Sequence, residues 1–269
     1  MEDLICSAKK RGRDLTIDTL KIAGKEPVRD IIIIIPKDVK KNQKGLYEVV
    51  MSYRLGNDGY LASKDFENLA YFNDKIVSRQ QGLSMGPNEF KTFVDKHVAI
   101  DIKDGIFLVR IDAFSKVMED DETNNDISSH LIFRGFSPNY PKTPQLHIEQ
   151  WRIANRTPVR GQLRLSRADS RGQKQDRHAF EVEYVIRNYG ISDAVDFDNL
   201  FYLDGRGFFR QPKLTLKAGE SRLMQIPVYF PIRSGKFSLR ADAGGKYPKG
   251  QNCITNLDIN IRFQGFPNA

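Results

Sequence analysis

The first half of this chain is written again in the second. Leu15-Thr16-Ile17, Ala23 and Pro27-Val28-Arg29 return 131 positions on as Leu146-His147-Ile148, Ala154 and Pro158-Val159-Arg160. The same shift carries Tyr53, Asn57, Gly59, Asp65-Phe66, Asn68-Leu69 and Tyr71 onto Tyr184, Asn188, Gly190, Asp196-Phe197, Asn199-Leu200 and Tyr202. After a small change of offset, Gly105, Phe107, Arg110, Asp112, Phe133 and Gly135-Phe136 map onto Gly235, Phe237, Arg240, Asp242, Phe263 and Gly265-Phe266. A repeat that runs the length of each half implies two copies of one fold, each burying its own apolar residues. A shared scaffold does not specify an activity, so function has to be sought in surfaces and in what differs between the copies.

A chain of 269 residues accommodates two such cores at an ordinary domain size. The longest apolar run, Ile31 to Ile35, is the size of a buried strand and far short of the roughly 20 residues that span a bilayer. Met1-Glu2-Asp3-Leu4-Ile5-Cys6 lacks the basic region and apolar core of a secretory signal. Three settings stay open: a leader removed from this sequence, export by another route, or residence inside the cell. Cys6 and Cys253 fall outside the repeat correspondence, which leaves open both a long-range disulfide and two unpaired thiols.

Residues 1–14 read as a polar, basic extension with no counterpart before the second copy, and include Lys9-Lys10-Arg11-Gly12-Arg13. The two copies occupy 15–136 and 146–269. Between them, residues 137–145 carry Pro138, Pro141 and Pro144, which restrict their own φ and the residue before each, so a semi-rigid spacer is expected. Inside each copy the apolar pattern has period two. Phe180, Val182, Tyr184 and Ile186 alternate with Glu181, Glu183, Val185 and Arg187, as on a strand with one buried face. Candidate strands of the first copy lie near 15–22, 30–35, 46–55, 65–72, 76–81, 89–101, 105–113 and 127–134. Turn sequences such as Gly56-Asn57-Asp58-Gly59 and Met85-Gly86-Pro87-Asn88 punctuate them. No long helix fits, and the expected fold is all-β: two tandem antiparallel β-sandwiches. Asn57 and Asn188 suit a turn that needs side-chain-to-backbone bonding, with Gly59 and Gly190 free to take positive φ. Phe66 and Phe197, Leu69 and Leu200, and Tyr71 and Tyr202 are spaced as inward residues of the strands that follow.

Asn188-Tyr189-Gly190, Ala194, Phe197, the run Leu200 to Gly205, Leu216-Lys217-Ala218-Gly219-Glu220-Ser221 and Ala241-Asp242 come in a recognisable order. The first copy adds Asp112 followed by Glu119-Asp120-Asp121-Glu122-Thr123-Asn124-Asn125. This resembles the CARDB family, the cell adhesion related domain found in bacteria. The resemblance implies a seven-stranded, immunoglobulin-like sandwich used as a spacer or binding module in surface and extracellular proteins. In the second copy Gly244 to Asn252 replaces the acidic stretch, which confines any metal-linked role of that loop to the first copy.

Two surfaces stand out. Asp112, Glu119, Asp120, Asp121, Glu122, Asn124 and Asn125 offer oxygen ligands for a hard cation such as Ca2+, although their spacing does not match the twelve-residue calcium loop. A solvated acidic turn is the other reading. From Arg152 to Arg177 the chain carries Arg152, Arg156, Arg160, Arg164, Arg167, Arg171, Lys174 and Arg177 against only Asp169 and Asp176, in a chain of net charge +8. Pro158 and Gly161 break the helical spacing of the first four arginines. A basic loop-and-strand face remains, either merely solvated or contacting nucleic acid, an acidic polysaccharide or an acidic protein. Trp151 falls where Leu20 stands in the first copy and reads as a core replacement.

Catalytic and zinc chemistry find no support. His97, His130, His147 and His178 are scattered, without the paired spacing of a zinc site. Gly82-Leu83-Ser84-Met85-Gly86 matches a nucleophile elbow, but Pro87-Asn88-Glu89-Phe90 leads into another strand where that motif needs a helix. The expectation is therefore a non-enzymatic structural or adhesion-type protein that contacts other proteins or copies of itself, with no required cofactor. Leu4-Ile5-Cys6 is a candidate strand for pairing with a neighbour's sheet edge. The alternative is a polyanion-binding module working through Arg152, Arg156, Arg160, Arg164, Arg167 and Arg171. A carbohydrate-binding sandwich would call for an exposed aromatic platform. The resemblance implies an extracellular or cell-surface setting; a cytoplasmic one is the alternative.

Overall fold

A computed structural model describes residues 12–43, 45–242, 244–247 and 256–266. The chain divides into two compact units, Met1–Phe133 and Arg134–Ala269. The first unit holds β1 (Leu15–Ile22), β2 (Ile31–Ile34), β3 (Lys40–Lys41), β4 (Tyr47–Asn57), β5 (Ser63–Phe72), β6 (Lys75–Met85), β7 (Phe90–Ile100), β8 (Gly105–Arg110) and β9 (Asp126–Phe133). The second holds β10 (Leu146–Ile153), β11 (Gln162–Ser166), β12 (Gly172–Lys174), β13 (Arg177–Asn188), β14 (Ala194–Leu203), β15 (Arg206–Leu216), β16 (Ser221–Pro231), β17 (Gly235–Arg240) and β18 (Asn256–Gln264). Two single-turn 3-10 helices, Pro36–Asp38 and Arg167–Asp169, are the only helical elements among the described residues.

Each unit pairs a four-stranded sheet with a five-stranded one, so the chain is all-β, as its alternation predicts. In the first unit β1, β3 and β7 pair with β4, and the other sheet runs β2-β9-β8-β5-β6. The second unit repeats this with β10, β12 and β16 on β13, and β11-β18-β17-β14-β15. All pairings are antiparallel except β2 with β9 and β11 with β18, where the second strand of each unit lies parallel to the last. The inner faces carry the core. Phe180, Phe201, Phe230 and Phe237 are fully buried in the second unit, as are Phe66 and Phe107 in the first. Each contributes roughly 2–3 kcal/mol by leaving water. Trp151 is half-buried against Phe237, with ring centroids 6.0 Å apart, which is the packing role expected at the position of Leu20.

The repeat extends into polar groups that the core encloses. Tyr53 donates its hydroxyl hydrogen to Gln80 Oε1 (2.6 Å) and accepts from Asn68 Nδ2 (2.7 Å). Tyr184, Gln211 and Asn199 make the same two bonds at the same distances. Burial pushes both tyrosine hydroxyls well above their usual titration range. Both Asn68 and Asn199 leave Oδ1 buried without a protein partner. Asn57 Oδ1 accepts from Gly59 N (3.1 Å) and Asp14 N (3.4 Å), while its Nδ2 donates to the carbonyls of Leu61 (2.9 Å) and Gly86 (3.0 Å). Asn188 does this with Gly190 N (2.9 Å), Gln145 N (3.0 Å) and the carbonyls of Ser192 (2.8 Å) and Lys217 (3.2 Å).

Several expectations are corrected. Gly59 and Gly190 are not needed for positive φ, since neither adopts one. Each is a glycine because the strap entering the unit crosses directly over it. A Cβ on Gly59 would lie 2.6 Å from Gly12 O, and one on Gly190 would lie 2.7 Å from Gln145 N. Residues 12–14 of the extension therefore do have a counterpart, since 12–14 and 143–145 are the same strap. The stretch 137–145 is bonded to the second unit, through Tyr140 Oη to the Tyr189 carbonyl (2.8 Å) and Ser192 Oγ to the Lys142 carbonyl. Lastly, although Leu69 is buried as expected, Tyr71, Leu200 and Tyr202 face outward. Bulges at Asp65 and Asp196 (φ 56° and 55°) and the register shifts that follow turn them away from the core, which Phe66 and Phe197 do enter.

Candidate functional site

The acidic stretch of the first unit is occupied with its own backbone. Asp112 accepts from Lys116 N (3.0 Å) and Val117 N (2.8 Å), and Asp242 accepts from Lys246 N (3.0 Å) and Tyr247 N (2.7 Å) at the equivalent turn. Because the second unit repeats this cap without the acidic run, Asp112 serves the turn. Glu119 takes the Leu15 N–H (2.5 Å), and Asp120 takes the Gly12 N–H. Asp120 N donates to Arg13 O (2.9 Å), and Asn124 donates to the Asp14 carboxylate (2.9 Å). Asp121 accepts from Thr123 N and Oγ1, and Glu122 and Glu119 share the Asn125 amide. The loop is a clasp for the strap 12–15. Burial pushes the Glu119 carboxyl up to about 7, against the two hydrogen bonds that favour its charge. Among the described residues no three His, Cys, Asp or Glu side chains converge as metal ligands.

The arginine-rich segment separates into parts. Arg156 pairs with Asp169 (2.8 Å), which caps the short helix beginning at Arg167 by accepting from Ser166 N (2.7 Å). Lys25, Asp38 and Ile35 N build the same device in the first unit, so Arg156 belongs to the scaffold. Arg171 pairs with Glu181, and Arg152 lies opposite Glu183 across β10 and β13. Arg160, Arg164 and Arg167 are exposed and have no carboxylate partner among the described residues. Arg164 stands on β11 directly beside Arg262 of β18, on the outer face of the five-stranded sheet. Arg262, also exposed and without a carboxylate partner among the described residues, lies far from the segment in sequence.

Clefts flank this pair. One of about 740 Å³ is lined by Arg156, Arg160, Gln162 and Arg164, and one of about 420 Å³ by Gln162, Lys236, Asn260 and Arg262. They meet at Gln162, whose strand neighbour is Asn260, itself beside Lys236. Tyr202, farther along the face, has its ring covered by the Arg240 guanidinium, 4.7 Å from the centroid. The equivalent positions of the first unit read differently. Ile31, Ile33, Ile106 and Ile132 stand where Gln162, Arg164, Lys236 and Arg262 do. The outer face of this sheet thus carries isoleucines around His130 in the first unit and cations in the second, where Lys236 is paired with Asp258 (2.9 Å).

Ser84 sits on β6, an edge strand followed by a turn and β7, with no helix to form an elbow. His97 contacts Glu48, His147 packs on Tyr189 and His178 on Phe266, in three separate places. Leu4, Ile5, Cys6 and Cys253 lie outside the described residues. No helix among the described residues is long and apolar enough to cross a membrane.

Comparison with solved structures returns CARDB and fibronectin(III)-like domains among its matches. A CARDB domain from Pyrococcus furiosus, crystallised in complex with di-metal ions, is 18% identical at a TM-score of 0.34, the match covering 45% of this chain and 94% of that one. The chain is similar to CARDB domains. A domain from a Methanosarcina acetivorans protein named for the cell surface is 17% identical (TM-score 0.33; 44% of this chain, 90% of that one). Fibronectin(III)-like modules of Clostridium thermocellum CbhA are 9% identical over 93% of this chain and 94% of theirs, at a TM-score of 0.25. No family model and no curated protein matches the chain.

Proposed function

We propose that this chain is a non-enzymatic, adhesion-type structural protein whose tandem immunoglobulin-like sandwiches contact other proteins, above all further copies of itself, through their outer sheet faces. A cell surface or an appendage is the setting that suits such a module. One observation carries the reading. The buried tyrosine, asparagine and glutamine bonds are duplicated, whereas the outer face of one sheet has diverged from isoleucines to cations. On the first unit Ile106 is 59% exposed and Ile76 58%, with Tyr71 and Leu108 half-buried between them. An apolar patch of this kind on a sheet face is what contact surfaces present to a partner.

Sedimentation velocity over rising concentration tests this. The chain is expected to associate, and Ile106→Lys to return it to a monomer by placing a charge in the patch. A single monomeric species at high concentration, in the unaltered chain, overturns self-association.

A further inference from the structure

We infer that the outer face of the second unit's five-stranded sheet binds an acidic polysaccharide, with Arg164 and Arg262 gripping its anionic group and Gln162 and Asn260 its hydroxyls. The inference deepens the contact-face reading given above by naming the ligand of one face. Arg164 and Arg262 are direct neighbours on parallel strands about 4.8 Å apart and point to the same side. Like charges placed so repel each other, which is a cost to the folded sheet. The first unit avoids it with Ile33 and Ile132 at the same positions. Two guanidinium forks side by side match the oxygens of a carboxylate or sulfate, and an anion between them turns the repulsion into attraction.

The next row along the strands decides the class of ligand. Gln162 and Asn260 sit side by side with Lys236 beyond them, and both clefts open onto this row. Amide side chains donate and accept at once, as sugar hydroxyls require. Stacked bases would need an open aromatic ring, and Tyr202, the aromatic on this part of the face, is capped by Arg240. An acidic glycan held by its anionic groups and hydroxyls, without a ring stacked on an aromatic platform, fits; a single-stranded nucleic acid lacks the platform its bases need.

Retention of the whole chain on immobilised heparin (sulfated) and polygalacturonate (carboxylated), with single-stranded DNA as a third matrix, tests the site across a salt series. Binding to at least one glycan is expected, weakening as salt rises. Arg164→Gln with Arg262→Gln should weaken it by about tenfold or more, and Gln162→Ala with Asn260→Ala should weaken glycan binding and spare DNA. Lys213→Gln with Lys217→Gln, which removes the same charge from β15 and the turn after it, should change little. Thermal melting of each variant checks that it is folded. Three results overturn the inference: no retention on either glycan at low salt, equal losses from the Lys213 and Lys217 control, or DNA bound more tightly than both glycans. Sedimentation of the arginine variants separates the two claims. Self-association that persists while glycan binding is absent removes this inference alone, and loss of association in the unaltered chain removes the contact-face reading instead.

Discussion

A side chain that serves several backbone groups at once leaves little room for exchange. Asn57 and Asn188 each join the incoming strap, a turn and the end of β6 or β15. Asn188→Ala strands those buried groups and is expected to cost about 3 kcal/mol in urea denaturation, against about 1–2 kcal/mol for Tyr184→Phe, which removes one hydroxyl. Gly190→Ala should cost at least about 2 kcal/mol, because the new methyl meets the strap backbone, not because of φ. Glu119 gives a pH test. Its carboxyl is pushed from near 4.5 to about 7 by burial, so between those values the folded state holds a proton that the unfolded chain has released. Stability therefore falls as pH rises through that window. Glu119→Gln should flatten this part of the stability–pH curve, and an unchanged slope would remove Glu119 as its source. Calcium is expected to leave the melting temperature where it is, since the carboxylates of this loop already hold the strap.

Elements were legible where alternation is strong. Phe180, Val182, Tyr184 and Ile186 place β13 because each second residue must enter the core. The same rule misplaces Tyr71 and Tyr202, since a bulge adds a residue without leaving a mark in the pattern of letters. The cationic face was half legible. Arg160 and Arg164 stand out in a basic run, but Arg156 and Arg171 in that run are tied to Asp169 and Glu181, while Arg262 reaches the face from the last strand. Subtracting one copy from the other at outward positions would have found it, because Ile33, Ile106 and Ile132 become Arg164, Lys236 and Arg262. The strand pair makes a prediction about stability. Arg164→Ile with Arg262→Ile should raise the second unit's unfolding free energy by about 0.5–1 kcal/mol, as repulsion gives way to an apolar pair. Destabilisation instead would mean that the arginines hold the sheet together.

At the scale of the molecule, each unit owns a complete core and a complete pair of sheets. Residues 134–269 are expected to fold alone, with a cooperative melt and a β-type circular dichroism spectrum. A chain beginning at Leu146, which lacks the strap, should melt lower than one beginning at Lys142, because Asn188 and Gly190 lose their covering backbone. In each unit, moreover, β2 or β11 runs parallel to the closing strand. Tension that enters at the front of β2 and leaves from the far end of β9 slides one strand along the other, so the bonds between them share the load and must yield together instead of opening one after another. A tether under pull would gain from such a clamp, and the second unit carries the same one.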